Sequence, residues 1–199
     1  MATELPALRV ADPAAWRAWL SEHHDESHGV WLVLSKKRTT EPTSLSYDEA
    51  LEEALAHGWI DGQLGRGDEH TYRQRFTPRR ARSVWSKRNV EIVERLLADG
   101  RMHPSGVIEM QRAQEDGRWE TAYAGPASIE VPDDFAGAIA AEPAARDMFA
   151  ILTSQNRYAV LHRIESAKRP ETRRRRIEHF VAMLSQGETI YPQRRTLGD

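Results

Sequence analysis

The sequence predicts an α+β protein with a small antiparallel sheet packed with helices, followed by a helical C-terminal part. Apolar residues recur at helical spacing along most of the chain, whereas short apolar or alternating runs occur only in its first half. Residues 120–132, rich in Ala, Gly, Pro and Ser, are typical of a linker. We therefore predict an α+β domain over 1–125, a helical part over 126–187 and a tail over 188–199.

Local signals place the first elements. Asp12 followed by Pro13 predicts a helix start, because aspartate caps free N–H groups and proline suits the first turn. The apolar run 30–34 predicts a buried strand. Ser46 and Glu49 have the spacing of a capping box, so a second helix is expected to begin there.

A β-hairpin and two helices are predicted next. Residues 59–61 begin its first strand, 65–68 supply the turn and 72–76 form the return strand. Helices are expected from about residue 83 to 98, opened by Ser83 or Ser86, and from 104 to 115. The first of these should bury Trp85, Ile92, Val93, Leu96 and Leu97.

Three apolar stripes indicate helices in the C-terminal part. Gly187 should end the last helix, and the chain from Glu188 is expected to fray. The residues of the stripes are Met148, Ile151 and Leu152; Tyr158, Leu161 and Ile164; and Ile177, Phe180, Val181 and Leu184.

Composition limits the chemistry of the chain. The 199 residues include no cysteine, which excludes disulfides and thiolate catalysis. A net charge of −2 gives no general attraction for nucleic acid. Neither a secretion signal nor an apolar run of about 20 residues is visible, so we expect a cytoplasmic protein without membrane insertion.

Asp61 lies between glycines at the start of the predicted hairpin. A carboxylate in such a position can approach a ligand closely and is the candidate general base, the one candidate catalytic residue. Alternatively, Asp61 caps a turn or pairs with Arg79 or Arg80.

Residues 77–89 combine several cations with a helix start. Backbone N–H groups at the helix start, together with Arg79, Arg80 and Lys87, could bind a phosphate or a carboxylate. Trp85 could stack on the organic part of a ligand. The alternative is that Trp85 belongs to the core and that the arginines pair with nearby acids.

A secondary basic cluster contains Lys168 and Arg173. Because Arg173 lies four residues before Ile177, it should face the edge of the core and form a structural ion pair. The other arginines of the run are expected to be solvated. Binding of single-stranded nucleic acid is the functional alternative.

No metal or cofactor is expected. His24 and His28 are four residues apart beside Asp25 and Glu26, but Gly29 ends the helix there and no third ligand is evident. The chain has no glycine-rich nucleotide loop and no hydrolase motif.

The chain resembles the bacterial YdeI/OmpD-associated family between about residues 12 and 187. The resemblance implies an α+β fold and a link with bacteriocin protection and an outer-membrane porin, and it supplies no catalytic residues. The segments that carry it include 29–32, 58–62, 76–89, 100–102, 116–119, Ala167–Lys168 and 171–173, with Trp19, Leu20 and His24 before them.

The leading hypothesis is therefore a stress-response-type binding protein rather than an enzyme, with an anionic small molecule as its partner. An enzyme with Asp61 as base, a single-stranded nucleic-acid-binding protein and a protein-binding role are the alternatives. The predicted ligand cleft is lined by Trp59, Asp61, Arg79, Arg80, Ser83, Trp85, Lys87 and Asn89.

Overall fold

The computed structural model describes residues 4–125 and 128–196. The chain divides into two compact units, residues 1–123 and 124–199. Strands occur in the first unit, and the described part of the second contains helices joined by loops. The predicted α+β class is confirmed.

A four-stranded sheet forms the base of the first unit. Its order is β1-β2-β4-β3, with β1 parallel to β2 and the other pairs antiparallel. The predicted hairpin is the β3–β4 pair, and the short strand β1 makes the sheet mixed. The strands are β1 Ala7–Leu8, β2 Val30–Ser35, β3 Trp59–Gly65 and β4 Thr71–Pro78.

Four helices pack with this sheet: α1 Pro13–His23, α2 Tyr47–Ala56, α3 Lys87–Ala98 and α4 Pro104–Glu115. Asp12 caps α1, and Ser46 and Glu49 form the predicted capping box of α2. Of the two serines predicted to open α3, Ser86 is the N-cap, so the helix begins at Lys87 and not at about residue 83. Leu97 was predicted to be buried, but it is 47% exposed.

Helices and sheet of the first unit share one aromatic-rich core. Trp16 stacks on Trp19, with ring centroids 5.3 Å apart, and meets Trp59 edge-on at 6.2 Å. Such contacts add about 0.5–1.5 kcal/mol each beyond the burial of apolar area. The core fixes the start of β3 against α1.

The second unit contains α5 Asp133–Ala140, α6 Pro143–Ala150, α7 Ser154–Glu165 and α8 Pro170–Ser185. Its core combines the predicted apolar stripes with residues of α5, a helix for which no stripe was identified in the sequence. Among the buried members are Phe135, Met148, Leu161, Ile164, Phe180 and Leu184.

Two polar contacts of this unit bear on the sequence predictions. Arg173 makes the predicted ion pair, donating to both carboxylate oxygens of Asp134 at 2.6 and 2.9 Å. The residues after Glu188 were expected to fray, but Asn156 binds Tyr191 and Gln193 through its amide. A buried amide on α7 therefore holds this segment as far as Gln193.

Replacing Gly106 by alanine is expected to destabilise the protein by about 1–2 kcal/mol, as overpacking does. A Cβ at Gly106 would lie 2.1 Å from the carbonyl oxygen of Ala56, so α4 would have to move away from α2. The matched control is Gly137→Ala in α5, where a Cβ would have open space. Alanine there should stabilise its helix by about 0.5–1 kcal/mol. Thermal unfolding would measure both changes, and stabilisation by both would contradict the predicted clash.

Candidate functional site

The structure places the residues of the predicted ligand cleft in different settings. Trp59 is 1% exposed, lies in the core and donates its indole N–H to the carbonyl of His24 at 3.1 Å. Asp61 forms no ion pair with an arginine of the described chain; instead it accepts a 2.9 Å hydrogen bond from the hydroxyl of Tyr47. Burial, followed by the charge of Asp61, raises the pKa of Tyr47, which keeps this hydroxyl a donor.

Two backbone donors at the start of α3 are already engaged. The N–H of Asn89 binds the hydroxyl of Ser86, and the N–H of Lys87 binds the carbonyl of Tyr123. Ser83 instead accepts a hydrogen bond from the N–H of Arg80, which closes a turn. The side chains of Arg80 and Lys87 are exposed, and buried Asn89 belongs to the helix.

Arg79 is the centre of the remaining site. It is 6% exposed, and its guanidinium carbon lies 3.5 Å from the centroid of the Trp85 ring. One terminal nitrogen, Nη1, donates to the carbonyl of Val84 at 3.2 Å. Within the described chain, Nε and Nη2 of Arg79 and the indole Nε1 of Trp85 are buried without a hydrogen-bond partner.

Burial lowers the pKa of Arg79 to about 10, against the opposing charges of Asp61 and Glu109. The guanidinium is therefore still charged at neutral pH. The structure describes no ion pair between Arg79 and a carboxylate of residues 4–125 or 128–196. A buried cation without a counter-ion is costly, so this side chain needs an explanation beyond packing.

The chain around residues 118–123 is tied to the loop that joins Arg79 to Trp85. Arg118 donates through Nη1 to the carbonyl of Ser83 at 2.7 Å and pairs with Asp116. Tyr123 donates its backbone N–H to the carbonyl of Trp85 at 3.0 Å. Trp85 also contacts Trp119, with ring centroids 4.8 Å apart. The indole is thus a core residue and a wall of the site at once.

Glu109 of α4 supplies an acceptor near this cluster. Its Oε1 binds Arg112 at 2.6 Å, whereas its Oε2 is buried and has no donor among the described residues. The Cγ of Glu109 lies 3.1 Å from the position that a Cβ on Gly58 would occupy. Gly58 in turn accepts the backbone N–H of Arg79 at 3.0 Å, so Arg79 and Glu109 approach the same glycine.

Sequence reasoning missed Glu109, Arg118 and Tyr47. Each lies in an element remote in sequence from Arg79, and none belongs to a motif. Only the resemblance segment 116–119, which contains Arg118 and Trp119, carried a signal.

Other surface features are less specific. A depression of about 630 Å³ is lined by exposed Lys37 and Arg38 and by several hydroxyls, but its cations are solvated. Another, of about 470 Å³, lies beside Glu130, Glu165 and Arg173. Arg173 is engaged by Asp134 and Lys168 is exposed, so the secondary basic cluster offers one solvated cation and one paired cation.

Three histidines meet where α1, α2 and α4 end or begin. The ring of His103 lies 4.7 Å from that of His24 and 4.8 Å from that of His57. Nδ1 of His57 contacts the carbonyl of Glu53 at 2.8 Å, and its Nε2 contacts the hydroxyl of Ser21 at 3.2 Å. The described residues contain no group of three or more His, Cys, Asp or Glu arranged to bind a metal.

Acidification is expected to destabilise the first unit through these rings. Burial, with the charges of the neighbouring histidines, lowers the pKa of His57 and of His103 below the ordinary 6.5. The unfolded chain then binds protons first as pH falls through 6.5, so stability is lost from there down to the lowered values. The charge of Glu53 opposes the lowering of the pKa of His57. Glu53 itself forms ion pairs with Arg17 and Arg101.

Chemical denaturation between pH 7.5 and 5 would measure the slope of the free energy of unfolding against pH. His103→Asn should flatten it while keeping a good N-cap for α4. His70→Asn is the control, because the side chain of His70 is 61% exposed and lies in the turn before β4, outside the three-histidine cluster. An unchanged slope in His103→Asn would contradict the assignment.

Two known families match different parts of the chain. Residues 8–109 match the model described as Domain of unknown function (DUF8412), which is slightly more than half of the 199-residue chain. The chain belongs to this family. Residues 128–187 match a second model, described as Bacteriocin-protection, YdeI or OmpD-Associated. No curated protein and no solved structure matches the chain.

The first match covers residues of the site, and the two matches cover different segments that carry the family resemblance. Arg79, Trp85 and Glu109 lie in the DUF8412 match, whereas Arg118 lies outside both matches. The suspected YdeI/OmpD-associated family is shown over residues 128–187, and the resemblance segments before residue 109 fall in the DUF8412 match. None of the described helices is long and apolar enough to span a membrane.

Proposed function

We propose that the DUF8412 region binds a small anionic molecule through Arg79 and Trp85. The observation that carries the proposal is a buried guanidinium that forms no ion pair among the described residues and has two N–H groups without acceptors. Polar groups buried in this way are rare, and they are retained where a ligand, ion or water completes them.

The identity of the unpaired atoms favours a planar or tetrahedral oxyanion. Nε and Nη2 form the edge of a guanidinium that donates two parallel hydrogen bonds to a carboxylate or a phosphate. Because Arg79 uses Nη1 on Val84, this edge is held in place before a ligand arrives. The N–H of Trp85 provides a third donor beside it.

The family match of the second unit suggests the biological role of this binding. Residues 128–187 match a family described by bacteriocin protection, so we infer a bacteriocin-protection-like role for the chain. A binding function is preferred to an enzymatic one because the candidate base, Asp61, is occupied by the hydroxyl of Tyr47.

A screen of small anions by thermal shift and calorimetry would test the proposal. We expect at least one of acetate, phosphate, sulfate or a nucleoside monophosphate to bind and to stabilise the protein by about 2.7 kcal/mol at a hundred times its Kd. Arg79→Gln should weaken binding at least a hundredfold, since hydrogen bonds to charged groups contribute about 1.5–3 kcal/mol each.

Arg82→Gln is the matched control. Arg82 lies in the same loop, but its side chain is exposed and makes no ion pair in the described structure. It should leave the affinity unchanged. Equal loss in both variants would indicate general electrostatic attraction, and full affinity in Arg79→Gln would exclude this site.

A further inference from the structure

We propose that the ligand of the Arg79 site carries an ammonium group as well as a carboxylate, as a small amino acid does. The inference rests on the proposed function and narrows its ligand class. It is based on two kinds of unsatisfied buried atoms among the described residues. Arg79 and Trp85 have donors without an acceptor, and Glu109 has an acceptor without a donor.

The unmet acceptor is specific to one oxygen. Arg112 neutralises Glu109 through Oε1 at 2.6 Å and leaves Oε2 buried without a donor among the described residues. A carboxylate oxygen in this state loses its hydration without compensation. An ammonium group, which has three donors and no acceptor, would satisfy it.

Arg79 and Glu109 both contact Gly58, yet their side chains do not satisfy each other. Both lie against Gly58, one through a backbone hydrogen bond and the other through its Cγ. The charge of Glu109 acts on the guanidinium, but the two side chains form neither an ion pair nor a hydrogen bond in the described structure. A ligand with two opposite charges can link them.

Charge balance favours such a ligand over a simple anion. The cluster contains as many acidic as basic side chains, so an added anion would give it a net negative charge. A zwitterion adds no net charge and can place each of its poles beside an opposite charge. The side chains counted are Arg79, Arg112 and Arg118 against Asp61, Glu109 and Asp116.

Burial limits the size of the ligand. The unpaired atoms of Arg79, Trp85 and Glu109 have almost no contact with solvent, and hydrogen bonds from Arg118 to Ser83 and from Tyr123 to Trp85 hold the adjoining segments together. A compact neutral amino acid therefore suits the site better than a peptide or a nucleotide.

Matched probes separate the two poles of the ligand. Calorimetry would compare glycine, L-alanine and L-serine with acetate and propionate, which lack the amine, and with methylamine and ethylamine, which lack the carboxylate. Phosphate serves as the anion reference. The proteins are the wild type, Glu109→Gln and the control Glu115→Gln, whose side chain is exposed on the same helix.

We expect at least one of the amino acids to bind at least tenfold more tightly than its des-amino acid. Glu109→Gln should remove this advantage and leave carboxylate binding intact, while Glu115→Gln changes neither. If acetate, propionate or phosphate binds as tightly as the amino acids, the anion site stands and the inference falls. If none of the probes binds, phosphate included, both the inference and the anion site are overturned.

Discussion

Arg79→Met is expected to raise the free energy of unfolding of the ligand-free protein by about 2–3 kcal/mol while abolishing anion binding. The substitution removes a buried charge that has no counter-ion in the described chain and replaces it by an apolar side chain of similar length. Replacement of buried ionic groups by apolar ones stabilises other proteins by about 1–4 kcal/mol. The lost contact with Trp85 offsets part of this gain.

Chemical denaturation in buffers without small carboxylates or phosphate would measure the change. A loss of stability of 1 kcal/mol or more would show that Arg79 is a structural residue whose contacts with Trp85 and Val84 outweigh its desolvation. Stabilisation together with unchanged anion binding would separate the buried cation from the proposed site.

Methionine substitutions are expected to lower the free energy of unfolding when they are made at the two arginines that bind Glu53. This carboxylate is 3% exposed and accepts from Arg17 at 2.6 and 2.7 Å and from Arg101 at 2.8 Å. Changing both arginines to methionine would leave a buried carboxylate without a counter-ion, at a cost of about 3–5 kcal/mol. Arg101 also binds Glu52, which is more exposed and can be hydrated.

Glu53→Leu added to the double variant should recover most of the loss, because the uncompensated charge is then gone. Urea denaturation of the wild type, the double variant and the triple variant would give the comparison. If the triple variant were no more stable than the double one, the effect would come from lost arginine packing and not from the stranded carboxylate.

Local signals in the sequence sufficed for most elements. Asp12, Ser46 and Pro104 act within one helical turn, so the caps of α1 and α2 and the start of α4 follow from nearest neighbours. The start of α3 did not follow, because Ser83 and Ser86 are both good caps. The choice is made by Tyr123, whose carbonyl takes the N–H of Lys87 from 36 residues away in the chain.

The sequence predicted Arg79 and Trp85 but not the acceptor of the site. Both residues lie in the basic segment 77–89, and the structure places them together, with the guanidinium carbon 3.5 Å from the centroid of the ring. Glu109 and Arg118 reach the cluster through tertiary packing, which no short motif records. Trp59, at 1% exposure, belongs to the core, whereas Trp85, at 2%, belongs to the core and also contacts Arg79.

The burial of the unpaired nitrogens of Arg79 has a kinetic consequence for any ligand. Because these nitrogens have almost no contact with solvent, part of the structure around them must open before a molecule reaches them. Association would then be limited by this opening, so its rate would level off as ligand concentration rises. Release would be slowed in the same way, and such a protein would hold its ligand for long periods even at modest affinity.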